Sequence, residues 1–286
     1  MKSSYTVYFI LVLTFKTGFI YSQADPSFSV KWENLPWASG GEIPAGPPWS
    51  MVGPYDFDGD NFGDFIVSSA YAGTYCNGVY HYEAAGNDSI DLRWVYTFYE
   101  LNCADDAYSS VAVGDIDGDG NQEILALVDT SPGVIGQDAL QIFEWNPDSM
   151  SFLSEPTYTW DMGLEAVWEA GQILVEDVDG DGNQEIIVSI MNGPSWADMS
   201  TGGSSQLIIF EFQSATDGQA LFNIEYEDNI WTNWSGYNIS TGDLDGDGFI
   251  EIYTVAYEYY HLIIYESTGE DSYDYQTDFY ISSEQY

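Results

Sequence analysis

The sequence has 286 residues, 45% of them hydrophobic, enough for a folded core and incompatible with a disordered acidic tail. Asp and Glu number 47 against four Lys and Arg, a formal charge of −43. Such a surface repels nucleic-acid phosphate and anionic lipid and attracts cations, so nucleic acid is not expected as a partner.

Residues 1–24, "MKSSYTVYFILVLTFKTGFIYSQA", place Lys2 ahead of an apolar run and end on small residues. That pattern predicts a secretory signal peptide, because the apolar stretch is too short and too interrupted to span a bilayer comfortably. No later segment reaches membrane length, so no membrane span is expected after cleavage. The chain is read as secreted, periplasmic or displayed at a cell surface. Residues 25–48 follow as a lead-in containing one lone strand, "FSVKWENLPW".

From residue 49 onward the sequence repeats. "DFDGDNFGD" begins at Asp56, "DIDGDGNQE" at Asp115, "DVDGDGNQE" at Asp177 and "DLDGDGFIE" at Asp243, a period of about 60 residues. Short runs precede these loops ("SMVGPY", "SSVAVG", "GQILVE", "YNISTG"), and β-type runs follow them ("FIVSSAY", "ILALVDT", "IIVSIMN", "IYTVAYE"). A third element ends in an aromatic and a Glu: Tyr82-Glu83, Phe143-Glu144, Phe210-Glu211 and Tyr265-Glu266. The fourth is aromatic-rich: "LRWVYTFY", "FLSEPTYTW", "FNIEYEDNIW" and "YDYQTDFYI".

Four strands per repeat, called A to D, with turn signals between them and no amphipathic helix, predict antiparallel meanders. One such sheet cannot bury both faces, and stacking the repeats around an axis solves this. The expected fold is all-β, a β-propeller of four-stranded blades. The blades are assigned to residues 49–104, 105–163, 164–229 and 230–286. The acidic loop then joins A to B, with the C–D turn on the same side and the B–C and D–A connections opposite.

The loop chemistry points to calcium, a hard cation that takes six to eight oxygens at about 2.3–2.6 Å. In D-x-D-G-D-G-x-x-E, side chains at positions 1, 3 and 5 converge, the backbone carbonyl at position 7 joins them, and the acid at position 9 closes the shell. The candidate ligands are Asp56, Asp58, Asp60, Phe62 and Asp64; Asp115, Asp117, Asp119, Asn121 and Glu123; Asp177, Asp179, Asp181, Asn183 and Glu185; and Asp243, Asp245, Asp247, Phe249 and Glu251. An EF-hand would need its closing Glu at position 12, where Val67, Ala126, Val188 and Thr254 stand instead. The first loop has Asn61 where the others have Gly120, Gly182 and Gly248, and Asn tolerates the left-handed conformation best after glycine.

These loops, with the unit length, resemble the FG-GAP and VCBS repeats found in integrin α-subunit propellers and many exported bacterial proteins. The resemblance covers about residues 49 to 280 and implies a calcium ion in each A–B loop. Family propellers commonly have about seven blades. The four visible here, with the lone lead-in strand, point to a partial ring, with a four-bladed ring or an open arc as the alternatives.

No nucleophile elbow, HExxH motif, P-loop or Cys–His pairing occurs, and His81 and His261 read as ordinary strand residues. Trp49, Tyr108, Trp168 and Trp234 recur just ahead of strand A, which favours packing between blades. Trp196, in a long B–C loop, and Trp231, in a D–A connection, are the candidate ligand-face aromatics. Cys76 and Cys103 fall on that same face and are a candidate disulfide. A non-catalytic module for adhesion to an extracellular glycan or protein is the favoured function. A calcium-dependent polysaccharide lyase and a structural spacer of a larger surface protein are the alternatives.

Overall fold

A computed structural model describes residues 48–69, 78–86, 89–98, 109–128, 139–162, 167–192, 204–230, 238–256 and 261–280. All lie within one unit, Asn34–Tyr286. The expected signal peptide, the lead-in strand and the Cys76–Cys103 pair lie outside the described residues, as do Tyr108, Trp196, Trp231 and Trp234.

The described residues form strands and turns only, so none of their segments is a helix long and apolar enough to cross a membrane. The first set is β1 (Pro48–Tyr55), β2 (Asp64–Ser69), β3 (Gly78–Gly86) and β4 (Ser89–Thr97), antiparallel in that order. The second is β5 (Ser109–Gly114), β6 (Glu123–Val128) and β7 (Leu140–Asn146), with β8 (Ser151–Phe152) and β9 (Tyr158–Trp160) both pairing with β7. In the third set, β10 (Val167–Glu176), β11 (Glu185–Asn192), β12 (Ser204–Thr216) and β13 (Gln219–Ile230) repeat the meander. So do β14 (Ile239–Gly242), β15 (Glu251–Ala256), β16 (His261–Gly269) and β17 (Ser272–Tyr280) in the fourth.

The fourth strand of the second set departs from the single aromatic-rich strand expected from "FLSEPTYTW". Pro156 has no N–H to give the ladder and restricts Glu155 before it, so the strand breaks into β8 and β9. Pairing resumes when Thr157 N donates to Ile142 O at 2.7 Å. Trp49 and Trp168 lie inside β1 and β10 rather than ahead of them.

Alternation along the strands sets the packing. In β6, Ile124, Ala126 and Val128 face the first set and join Ile66, Val79, Trp94 and Phe143 in one core. Leu125 and Leu127 face the other way and meet Ile186, Val188, Ile208 and Phe210. On the far side of the third set, Ile187, Leu207 and Ile209 pack on Ile252, Ile263 and Tyr265 of the fourth. The four sets therefore pack through three apolar layers, the period-two pattern of strands buried on both faces.

One parallel bridge, Gln219 to Thr159, joins the second and third sets at β13 and β9. The inner strands β5 and β10 also lie side by side, so this nine-stranded sheet nearly closes on itself like a barrel. The approach at that inner edge needs glycine: a Cβ on Gly114 would run into Val175 Cγ1 and lie 2.6 Å from Gln184 Oε1.

Candidate metal centre

Each acidic loop connects the first strand of its set to the second, and the position-9 acid is the first residue of that second strand. Ladder pairing therefore holds the acid at the root of the loop. Asp64, Glu123, Glu185 and Glu251 are between 0% and 4% exposed.

The same hydrogen bonds recur in all four copies. The closing acid accepts the N–H of position 2: Phe57 to Asp64 Oδ2 (2.8 Å), Ile116 to Glu123 Oε2 (2.8 Å), Val178 to Glu185 Oε2 (2.7 Å) and Leu244 to Glu251 Oε2 (2.7 Å). Position 3 accepts the N–H of position 5, as when Asp119 donates to Asp117 Oδ1 at 3.2 Å. Position 5 accepts the N–H of position 7, from Phe62, Asn121, Asn183 and Phe249. This chain of side-chain-to-backbone bonds curls the loop inward and turns the carboxylates toward one another.

Positions 4 and 6 must be left-handed for that curl. Gly118 has φ 72° and Gly120 φ 95°, and Asn61 adopts φ 70° at position 6 of the first loop, as its residue type allows.

Carboxylate oxygens of Asp115, Asp117, Asp119 and Glu123 lie within 4.8 Å of one another, as do those of Asp56, Asp58 and Asp60, and those of Asp177, Asp179 and Glu185. Oxygens around one calcium lie at most about 4.6–5.2 Å apart, twice the metal–oxygen distance, so each group fits a single ion. Without a cation, carboxylates about 4 Å apart repel by about 4 kcal/mol per pair at an effective dielectric of 20. Asp115 Oδ1, Glu123 Oε1 and Glu185 Oε1 are buried without a hydrogen-bond partner, which a cation would remedy.

Burial raises the Glu185 carboxyl to about 8, with the Val178 N–H opposing and Asp179 and Asp177 adding to the rise. Glu123 is raised by burial and by Glu144 beside it.

The first loop differs. Asp64 Oδ1 and His81 Nε2 are hydrogen-bonded at 2.7 Å. His81 is 1% exposed and enclosed by Phe57, Trp145 and Phe152. Nearby, Arg93 Nε lies 3.6 Å from Glu83 Oε2.

Two features escape a reading of the loops alone. The aromatic-Glu pairs, expected at the end of strand C, lie inside it, and they bring Glu83, Glu144, Glu211 and Glu266 directly opposite the closing acids Asp64, Glu123, Glu185 and Glu251. The signal was a repeated residue pair, but only the register gives it a partner. Adjacent sets also touch at the loops: Asp271 N, in the β16–β17 turn, donates to Asp179 Oδ2 at 2.7 Å, and Asp179, Glu225 and Asp271 form a further acidic group. This places a C–D turn on the loop side, as the strand order requires.

One family match bears on these loops. Residues 56–126 match the FG-GAP-like repeat family. The match runs from the first acidic loop through the second and into β6, and the family read from the loop residues is the one found. The third and fourth loops share the hydrogen-bond pattern of this FG-GAP-like repeat. No curated protein matches the chain.

Proposed function

We propose that the chain is an exported, calcium-binding β-propeller module that serves as a rigid, non-catalytic scaffold for an extracellular glycan or protein ligand. The observation that carries this reading is the fourfold recurrence of one loop conformation, each copy ending in a buried carboxylate at the root of a strand. The four strand sets packed through three cores would serve as the blades. A calcium ion in each loop would be held by the acids at positions 1, 3, 5 and 9 and would tie strand A to strand B. The charge of −43 favours cations and disfavours nucleic acid.

Nothing in the described residues favours the lyase alternative. His81, sealed among aromatic rings and spent on Asp64, is a poor base for a polysaccharide in solution. The ligand face is the one away from the acidic loops, where the sequence puts Trp196 and Trp231. The test is a panel of immobilised neutral and acidic polysaccharides and extracellular-matrix proteins, probed with the full chain in calcium. Binding is expected, and the Trp196→Ala, Trp231→Ala double variant should lose it by about tenfold or more without a change in melting temperature. Undiminished binding by the variant, or release of unsaturated products from an acidic polysaccharide, would contradict the proposal.

A further inference from the structure

The closing acids and the strand-C glutamates form four equivalent cross-strand pairs, and the first pair is balanced differently from the next two. Asp64 and Glu83 are met by His81 and Arg93, which is the only Lys or Arg among the described residues. The second and third pairs have no such imidazole or guanidinium beside them. The ladder partners of Leu125 and Ile187, which correspond to His81 opposite Ile66, are Ile142 and Ile209.

The closing acids of those two pairs are nevertheless sealed. Glu123 and Glu185 are 0% exposed, and the Oε1 atom of each has no hydrogen-bond partner. Glu144 Oε1 is likewise buried and unpartnered. In the third set, carboxylate oxygens of Asp181, Glu185 and Glu211 lie within 4.8 Å of one another, a group distinct from Asp177, Asp179 and Glu185. Glu211 Oε2 accepts only a long bond from Asn183 Nδ2, at 3.3 Å, and the same amide also donates to Asp181 Oδ2 at 3.1 Å. A buried carboxylate facing a second acid needs a compensating cation or a shared proton, and an all-oxygen, all-acidic set suits a hard divalent cation.

We infer that Glu144 and Glu211 are calcium ligands, each holding the ion against the closing glutamate opposite it, and that Glu83 is not, because His81 and Arg93 take that place in the first set. This rests on the reading of the loops as calcium sites and extends the ligand set to strand C.

The test is calorimetric titration of the metal-free full chain with calcium, comparing wild type with Glu144→Gln plus Glu211→Gln, with Glu83→Gln, and with the loop variant Asp117→Asn plus Asp179→Asn. Loss of an outer partner of a metal ligand already costs about 10–100-fold in affinity, so the Glu144, Glu211 double variant should weaken two sites at least tenfold or abolish them. Glu83→Gln should titrate as wild type. In EDTA the Glu144, Glu211 variant should melt above wild type, since it removes the acid that faces each buried closing glutamate, whereas glutamates with a purely structural role would leave it melting lower. If that variant binds calcium as wild type does while the loop variant loses sites, this inference falls and the loop reading stands. No binding by wild type overturns both, and an equal loss in Glu83→Gln overturns the distinction drawn here.

Discussion

Removal of calcium with EDTA at constant ionic strength is expected to lower the melting temperature by about 20 °C or more. A ligand that binds only the folded state stabilises it by about 2.7 kcal/mol when present at a hundred times its Kd, so four loops contribute about 11 kcal/mol. That rivals the entire stability of an ordinary domain, about 5–15 kcal/mol. For a chain of this size each kcal/mol moves the melting temperature by about 2–4 °C. The loop geometry adds a reason for the fall: each closing carboxylate is buried beside other acids, and Glu123 and Glu185 keep an unpartnered oxygen once the ion has gone. Differential scanning calorimetry in excess calcium and in EDTA reads the effect, and a sodium chloride series separates it from general screening of the −43 charge.

Phe210→Ala should cost about 3–5 kcal/mol of unfolding free energy, the range for emptying an aromatic from a packed core. Phe210 is 0% exposed in the layer between the second and third sheets, with Trp160 at 4.8 Å and Phe222 at 5.2 Å between ring centroids. Trp160 belongs to β9 and Phe210 to β12, so the cavity would open between two strand sets that are joined by a single parallel bridge. Leu221, 56% exposed on β13, is the matched control, and Leu221→Ala should stay within about 0.5 kcal/mol. Urea unfolding in saturating calcium measures both, and equal effects would contradict the assignment of that layer as a core.

The strands were readable because nearly every one is bounded by a turn signal: the acidic loop before strand B, and Asp217-Gly218, both at positive φ, between β12 and β13. The closing acid at position 9 was readable too, since spacing within a nine-residue loop is local. The strand-C glutamates were visible only as a repeated pair. Their separation from the closing acid differs in every copy, from Asp64–Glu83 to Glu251–Glu266, because the B–C connections differ in length, and register alone brings them opposite. His81 read as an ordinary strand residue for the same reason: its partner Asp64 lies on another strand. The break at Pro156 was signalled by the proline itself, but the aromatic run on either side reads as one strand until the ladder is seen.

The most direct measurement is the number of calcium ions that the metal-free full chain binds, counted by titration calorimetry. At least four ions per chain are expected, and Asp115→Asn, Asp177→Asn and Asp243→Asn should each remove one or weaken it by about tenfold or more. Titration to millimolar calcium with no saturable heat, or loop variants that bind as wild type does, would contradict the assignment of these loops as calcium sites.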